Sequence, residues 1–160
     1  MSEINYWLGE YAVEADDKLF FFDEGVQCGV DPLDSLGVGV RITIDPNART
    51  VVGEADRRGN FVRVDMEDSK VTQVTLDIFR RLRGEFGLDT VGIVVQSYLR
   101  RTREDVRELL RIPARIRLCK GAYNEPPEVA FPDKRDTDEN YVRCMQLLLS
   151  SGTYHGIATH

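Results

Sequence analysis

Cysteine is scarce in this chain and paired nowhere: Cys28, Cys119 and Cys144 are odd in number and widely spaced, with no C-x-x-C pair and only His155 and His160 as companions. That set argues against a disulfide framework and against a zinc site, and no metal is expected. Long apolar runs are missing too. Nothing approaches the length needed to cross a bilayer, and the start, MSEINYWLGEY, lacks the basic and then apolar stretch of a secretory leader. A reducing cytoplasmic setting is the expectation. Nor is there an excess of positive charge: the net charge of −6 argues against general affinity for nucleic acid or anionic lipid, so any anionic ligand must be held by local charge. The stretch from Arg100 to Lys120 does carry a local excess of five positive charges, but no aromatic residues interleave with them, which fits a solvated helix face better than a nucleic-acid surface.

What is present is ordinary for one globular domain: 160 residues, 42% hydrophobic and 30% charged. From Gly37 onward, short β-branched runs alternate with amphipathic helical stretches, the signature of βα units and a parallel sheet. One helix is predicted after Asp68 and Ser69, either of which can cap it. Val71, Val74, Ile78 and Leu82 form its apolar stripe, Phe79 and Phe86 widen it, and Gly87 supplies a left-handed stop. A second begins at Thr102 with Asp105 at capping-box spacing, turns Val106, Leu109 and Leu110 inward, and ends before Pro113. A third runs from about Thr137 to Gly152 through Tyr141, Cys144, Met145 and Leu148. Residues 1–36 are left unassigned: LFFF at 19–22 reads equally as strand or buried turn.

Four strand-like segments end in polar groups at the same relative place: FVRVD at 61–65, TVGIVVQ at 90–96, ARIRLCK at 114–120 and GIATH at 156–160. In an alternating fold these ends share one rim, so Asp65, Gln96, Arg117, Lys120, Thr159 and His160 are expected to converge on one ligand. Side chains alternate across a strand. Arg115, Arg117 and Cys119 therefore share one face, as do Phe61, Arg63 and Asp65, while Gln96 shares that of Val94. Ionisable groups on the inward parity of a barrel suggest a ligand reaching into its mouth. The competing arrangement is an antiparallel sheet with one wet face, which the helix-length connections disfavour. Bland roles compete as well: Arg117 pairing with Asp65 in a structural bridge, Gln96 capping a loop, Tyr98 and Tyr123 as core or rim residues. Lys120 after a strand is also where barrel aldolases carry a Schiff-base lysine.

The most distinctive segment is RLCKGAYNEPPEVAFPDKRDTDENYVRCMQLLL, residues 117–149. With VGIVVQSYLRRT at 91–102 and the terminal IATH, it resembles the proline dehydrogenases, and the likeness runs collinearly from about Asn60 to His160. The resemblance implies a (β/α)8 barrel carrying FAD at its C-terminal mouth and oxidation of L-proline to Δ1-pyrroline-5-carboxylate, with hydride transfer to the flavin and electrons passing to a membrane quinone. It further implies a cytoplasmic enzyme peripheral to the inner membrane, with pyrroline-5-carboxylate dehydrogenase as a partner. By the same resemblance, Arg117 sits at the flavin N5 side and Gln96 hydrogen-bonds the isoalloxazine. Cys119, Gly121 and Ala122 line the ring, and Lys134, Thr159 and His160 bind the ribityl, pyrophosphate or adenosine part. Asp65 organises the substrate pocket and Tyr123 lies beside it.

Two departures stand out. Where the family has a substrate-contacting lysine in an early strand, VGVRIT at 38–43 offers Arg41, whose planar fork is not a copy of an ammonium. The family's last strands and its final helix, with a Tyr and an Arg pair for the substrate carboxylate, have no counterpart. Closure needs every strand. The expectation is thus a partial (β/α)8 barrel over residues 37–160, about five parallel strands with intervening helices, truncated before the barrel closes. Two functions follow: the central part of a proline-oxidising flavoenzyme, or a barrel fragment that binds no flavin.

Overall fold

The computed structural model describes residues 48–159 in full and the backbone of residues 7–15, 18–22 and 46–47. In chain order these form β1 (Trp7–Ala15), β2 (Lys18–Phe22), α1 (Pro46–Arg57), β3 (Val62–Val64), α2 (Thr72–Phe86), β4 (Val91–Gln96), α3 (Thr102–Arg111), β5 (Arg115–Cys119), α4 (Lys134–Leu149) and β6 (Gly156–Ile157). One sheet runs in the order β2-β1-β3-β4-β5-β6. From β3 to β6 each strand lies parallel to the next, with a helix between them, whereas β1 is antiparallel to both β2 and β3. The expected α/β fold with a parallel sheet is therefore present. Among the described residues four strands are parallel rather than about five, and the segment expected as the first of them, 38–43, lies outside those residues. LFFF proves to be strand, within β2.

Crossovers between parallel neighbours are right-handed, so α2, α3 and α4 fall on one side of the sheet. The burial of β5 records this: Ile116 and Leu118 are buried, while Arg115, Arg117 and Cys119 on the other face are half-buried. Ile93, Val95, Ile116 and Leu118 pack with Leu76, Phe79, Leu82, Val106, Leu109, Cys144 and Leu148 in a single core. At roughly 1.5–3 kcal/mol per fully buried aliphatic or aromatic side chain, this layer dominates stability. None of the described helices is long and apolar enough to cross a membrane.

Three local expectations are corrected. In α2 the buried positions are Thr72, Thr75, Leu76, Phe79 and Leu82, whereas Val71, Val74 and Ile78 are only half-buried. Thr72 and Thr75 can face the sheet because their hydroxyls donate to the Asp68 and Val71 carbonyls (3.1 and 3.0 Å). Gly87 does end this helix at φ +92°. The capping box of α3 does not form: Asp105 accepts from Arg101 Nε and Nη2 (2.7 and 3.0 Å), and Thr102 donates to the Gln96 carbonyl. α4 starts three residues earlier than Thr137, because Asp133 accepts from the Arg135 amide (2.8 Å) and caps it.

His155 ties the lower end of β5 to the turn after α4. Its Nδ1 accepts from the Ile116 amide (3.2 Å) and its Nε2 faces Ser151 Oγ (2.7 Å), which itself donates to the Leu148 carbonyl (2.8 Å). The arrangement needs a neutral ring with its proton on Nε2, and burial holds the His155 pKa below the ordinary value. Below pH about 6.5 the unfolded chain binds a proton that the folded imidazole refuses, so stability falls as pH falls through that region. Urea midpoints at pH 7.5 and 5.5 are expected to separate for the native chain and to draw together in His155→Gln; equal separation in both would remove His155 as the cause.

Candidate active site

Register fixes which side chains share the face away from the helices. Val94 is the neighbour of Arg117 and Gln96 of Cys119 across β4 and β5, while Arg63 is opposite Gly92 across β3 and β4. In-register parallel partners point to the same side. Arg63 and Asp65, Gly92, Val94 and Gln96, and Arg115, Arg117 and Cys119 thus occupy one inner face. At its lower end the Phe61 ring covers Gly92, where a Cβ would stand 2.5 Å from Phe61 Cζ, and the Arg115 guanidinium lies 4.0 Å from the same ring's centre. At the upper end lie the groups that carry chemistry.

Gln96 is 5% exposed; its Nε2 donates to the Met66 carbonyl, and its buried Oε1 has no hydrogen-bond partner. An unmatched acceptor inside a protein costs about 1–3 kcal/mol, which makes this atom conspicuous. On the adjoining strand Arg117 has no salt bridge or hydrogen bond among the described residues, so the bridge to Asp65 is not made. Asp65 accepts from the Met66 amide (2.9 Å). Burial raises the pKa of the Cys119 thiol, Arg117 opposes that rise and Asp65 adds to it, as expected where the three lie on one face.

Above the strand ends, Tyr123 donates its hydroxyl to the Glu67 carboxylate and is 42% exposed. Burial, and next the Glu67 hydrogen bond, push its phenol well above the ordinary range, with Asp65 contributing. Tyr98 is 6% exposed, its hydroxyl is buried without a partner, and burial followed by Glu125, Asp68 and Cys119 pushes it up to about 12. Gly121 (φ +94°) presents its Cα to the Tyr98 ring, and Ala122 is exposed beside it.

Other members of the expected constellation lie elsewhere. Lys120 has the outward parity of Leu118, and its Nζ pairs with Asp138 Oδ1 (2.6 Å) at the start of α4 rather than joining the rim group. Lys134 is exposed and shares that carboxylate (2.5 Å). Thr159 is exposed just past β6; His160 and Arg41 lie outside the described residues. Among the described residues no group of three or more His, Cys, Asp or Glu is arranged to hold a metal ion. The sequence reading took Ser69 only as a candidate helix cap and overlooked Glu67 and Glu125; of these two only Glu67 carried a signal, as the second carboxylate in Asp65-Met66-Glu67 directly after β3.

The model of the family described as proline dehydrogenase matches residues 10–160. The chain is similar to proline dehydrogenase of Deinococcus radiodurans, with 41% identity over 155 residues covering 91% of this chain and 50% of that protein. It is also similar to proline dehydrogenase 2 of Bacillus subtilis, with 39% identity over 127 residues covering 79% of this chain and 41% of that one. Among solved structures, the crystal structure of proline utilization A from Bdellovibrio bacteriovorus inactivated by N-propargylglycine superposes with a TM-score of 0.62 at 32% identity, over 68% of this chain and 13% of that one. The chain spans about half the length, or less, of the curated relatives it matches. With a family match that takes in every strand and helix from β3 to β6, this chain belongs to the proline dehydrogenase family.

Proposed function

We propose that this chain carries the strand-end side of a flavin-dependent site for the oxidation of L-proline to Δ1-pyrroline-5-carboxylate. The observation that carries the reading is the pairing, on adjacent strands and one face, of an unmatched buried acceptor, Gln96 Oε1, with an Arg117 guanidinium that no described residue engages by salt bridge or hydrogen bond. An isoalloxazine ring presents an N–H for such an acceptor, so the residues present fit FAD. When bound, FAD supplies a two-electron acceptor for the hydride leaving proline, and a quinone takes the electrons onward.

The chain's own residues then divide the work. Gln96 orients the ring edge. Arg117 stabilises, through its guanidinium, negative charge that develops beside it. Asp65 faces the cationic amine of proline, with Tyr123 as a wall of the same pocket and Arg41 as the cation for its carboxylate. Cys119 and Ala122 line the ring with small surfaces. Lys134, Thr159 and His160 serve the ribityl, pyrophosphate or adenosine part. Gly121 is small for a different reason, since its open side is filled by Tyr98. A quinone acceptor implies a cytoplasmic protein peripheral to the inner membrane, and the product implies pyrroline-5-carboxylate dehydrogenase as the partner that consumes it.

The chain, purified and supplied with FAD, is expected to retain yellow colour through gel filtration and to reduce an artificial acceptor when given L-proline. A colourless protein inert toward proline would overturn the reading and leave the barrel piece as a non-catalytic module.

A further inference from the structure

The segment joining β5 to α4, residues 120–133, does not simply return to the helix layer. It crosses the upper end of β4, held by Tyr98 N to the Lys120 carbonyl (2.8 Å), Phe131 N to the Tyr98 carbonyl (2.8 Å), Arg100 N to the Val129 carbonyl (3.0 Å) and an antiparallel bridge between Leu99 and Ala130. Its far end then reaches the β3–α2 connection, over fifty residues away in sequence. There Glu125 accepts from the Ser69 amide through Oε1 and from the Ser69 hydroxyl through Oε2, both at 2.7 Å, and Tyr123 donates to Glu67. Pro126 and Pro127 follow directly, and the Pro126 carbonyl receives the Val129 and Ala130 amides (2.9 and 3.0 Å), so the strap is stiff where it turns back.

A carboxylate that takes two hydrogen bonds from one serine is a directional clamp, stronger than a neutral pair. The hydrogen bonds from Ser69, first from its backbone and then from its side chain, hold the Glu125 pKa below the ordinary range, so the clamp is charged at neutral pH. Resting on the reading that the inner face is the proline site, we propose that Glu125 is a positioning residue: by clamping Ser69 it fixes the strap so that Tyr123 stays over the mouth between Asp65 and Cys119. Glu125 touches neither reacting atom; it acts through Tyr123. The partner of the strap is the connection that carries Asp65 and Glu67, so one clamp sets the spacing of both walls of the mouth.

The test uses the full chain with Glu125→Gln and Ser69→Ala, and Ser69→Thr as the conservative rescue. Phenol titration in the near ultraviolet, with Tyr123→Phe as the subtraction reference, reports Tyr123 directly. In both disrupting variants its transition is expected to move down toward the ordinary tyrosine range and amide exchange at residue 69 to speed up, with Ser69→Thr keeping the native behaviour. Where proline is turned over, KM is expected to rise about tenfold with kcat changed less, the size of one lost charge-assisted hydrogen bond. A Tyr123 transition unmoved in both variants overturns the proposal. If the transition moves while no variant, nor the native chain, binds flavin or oxidises proline, the clamp stands and the proline reading falls.

Discussion

Arg117→Ala is expected to weaken FAD retention by about 10- to 100-fold while leaving the urea midpoint unchanged or slightly raised. The first half follows from the charge: a hydrogen bond to a charged group contributes about 1.5–3 kcal/mol, and alanine offers nothing in its place. The second half follows from the neighbours. Arg117 has no salt bridge or hydrogen bond among the described residues, so truncation strands no described carboxylate, and its stem runs beside Gly156, where an added Cβ would stand 3.4 Å from Arg117 Cγ. Most arginines facing a protein interior behave otherwise, since removing one leaves an unpaired partner and destabilises the fold. The variant also removes the larger of the two influences that oppose the rise of the Cys119 pKa, the other being the Gly121 backbone hydrogen bond, so alkylation of Cys119 is expected to slow. Equilibrium titration with FAD, urea unfolding and thiol alkylation together check the set. Unchanged FAD affinity with a lowered midpoint would make Arg117 a structural residue. Arg117→Lys keeps the charge without the fork and is expected to fall between.

The face on which this site stands was legible because strand alternation is strict: Arg115, Arg117 and Cys119 could only be opposite Ile116 and Leu118, and the burial of β5 follows that alternation. The same rule, taken one residue further, assigns Lys120 to the helix side, where it meets Asp138; grouping it with the rim followed its position and overlooked its parity. The buried stripe of α2 escaped a search for apolar periodicity because Thr72 and Thr75 satisfy their hydroxyls against the preceding turn and then bury like valine. Asp105 looked like half of a capping box, but the guanidinium of Arg101 one turn earlier competes for it and wins with two hydrogen bonds. The clamp between Glu125 and Ser69 could not be read at all. Neither residue belongs to a periodic pattern, and their meeting depends on how far the strap reaches past β4, which is set by tertiary packing.

Gly121→Ala is expected to destabilise the chain by about 3 kcal/mol or more, the largest effect of any conservative change at the mouth. Two costs add. At φ +94° an L side chain is strained by about 1–2 kcal/mol, and a Cβ would stand 2.2 Å from Tyr98 Cδ1 and 2.6 Å from Cε1, an overlap of the kind that costs about 1–3 kcal/mol when neighbours can shift. Tyr98 has little room to shift. It is 6% exposed, its amide is bonded to Lys120 and its carbonyl receives Phe131, so ring and glycine are fixed on the same two backbone segments. The resemblance to the family attaches Gly121 to close approach of the flavin, and the geometry attaches it to Tyr98; a double-mutant cycle separates the two. In the Tyr98→Ala background the overlap vanishes, and the cost of Gly121→Ala is expected to shrink to the backbone strain of about 1–2 kcal/mol. An equal cost in both backgrounds would mean that the ring contact is not what demands glycine. A cost that appears only in FAD affinity and not in the urea midpoint would return the residue to the cofactor.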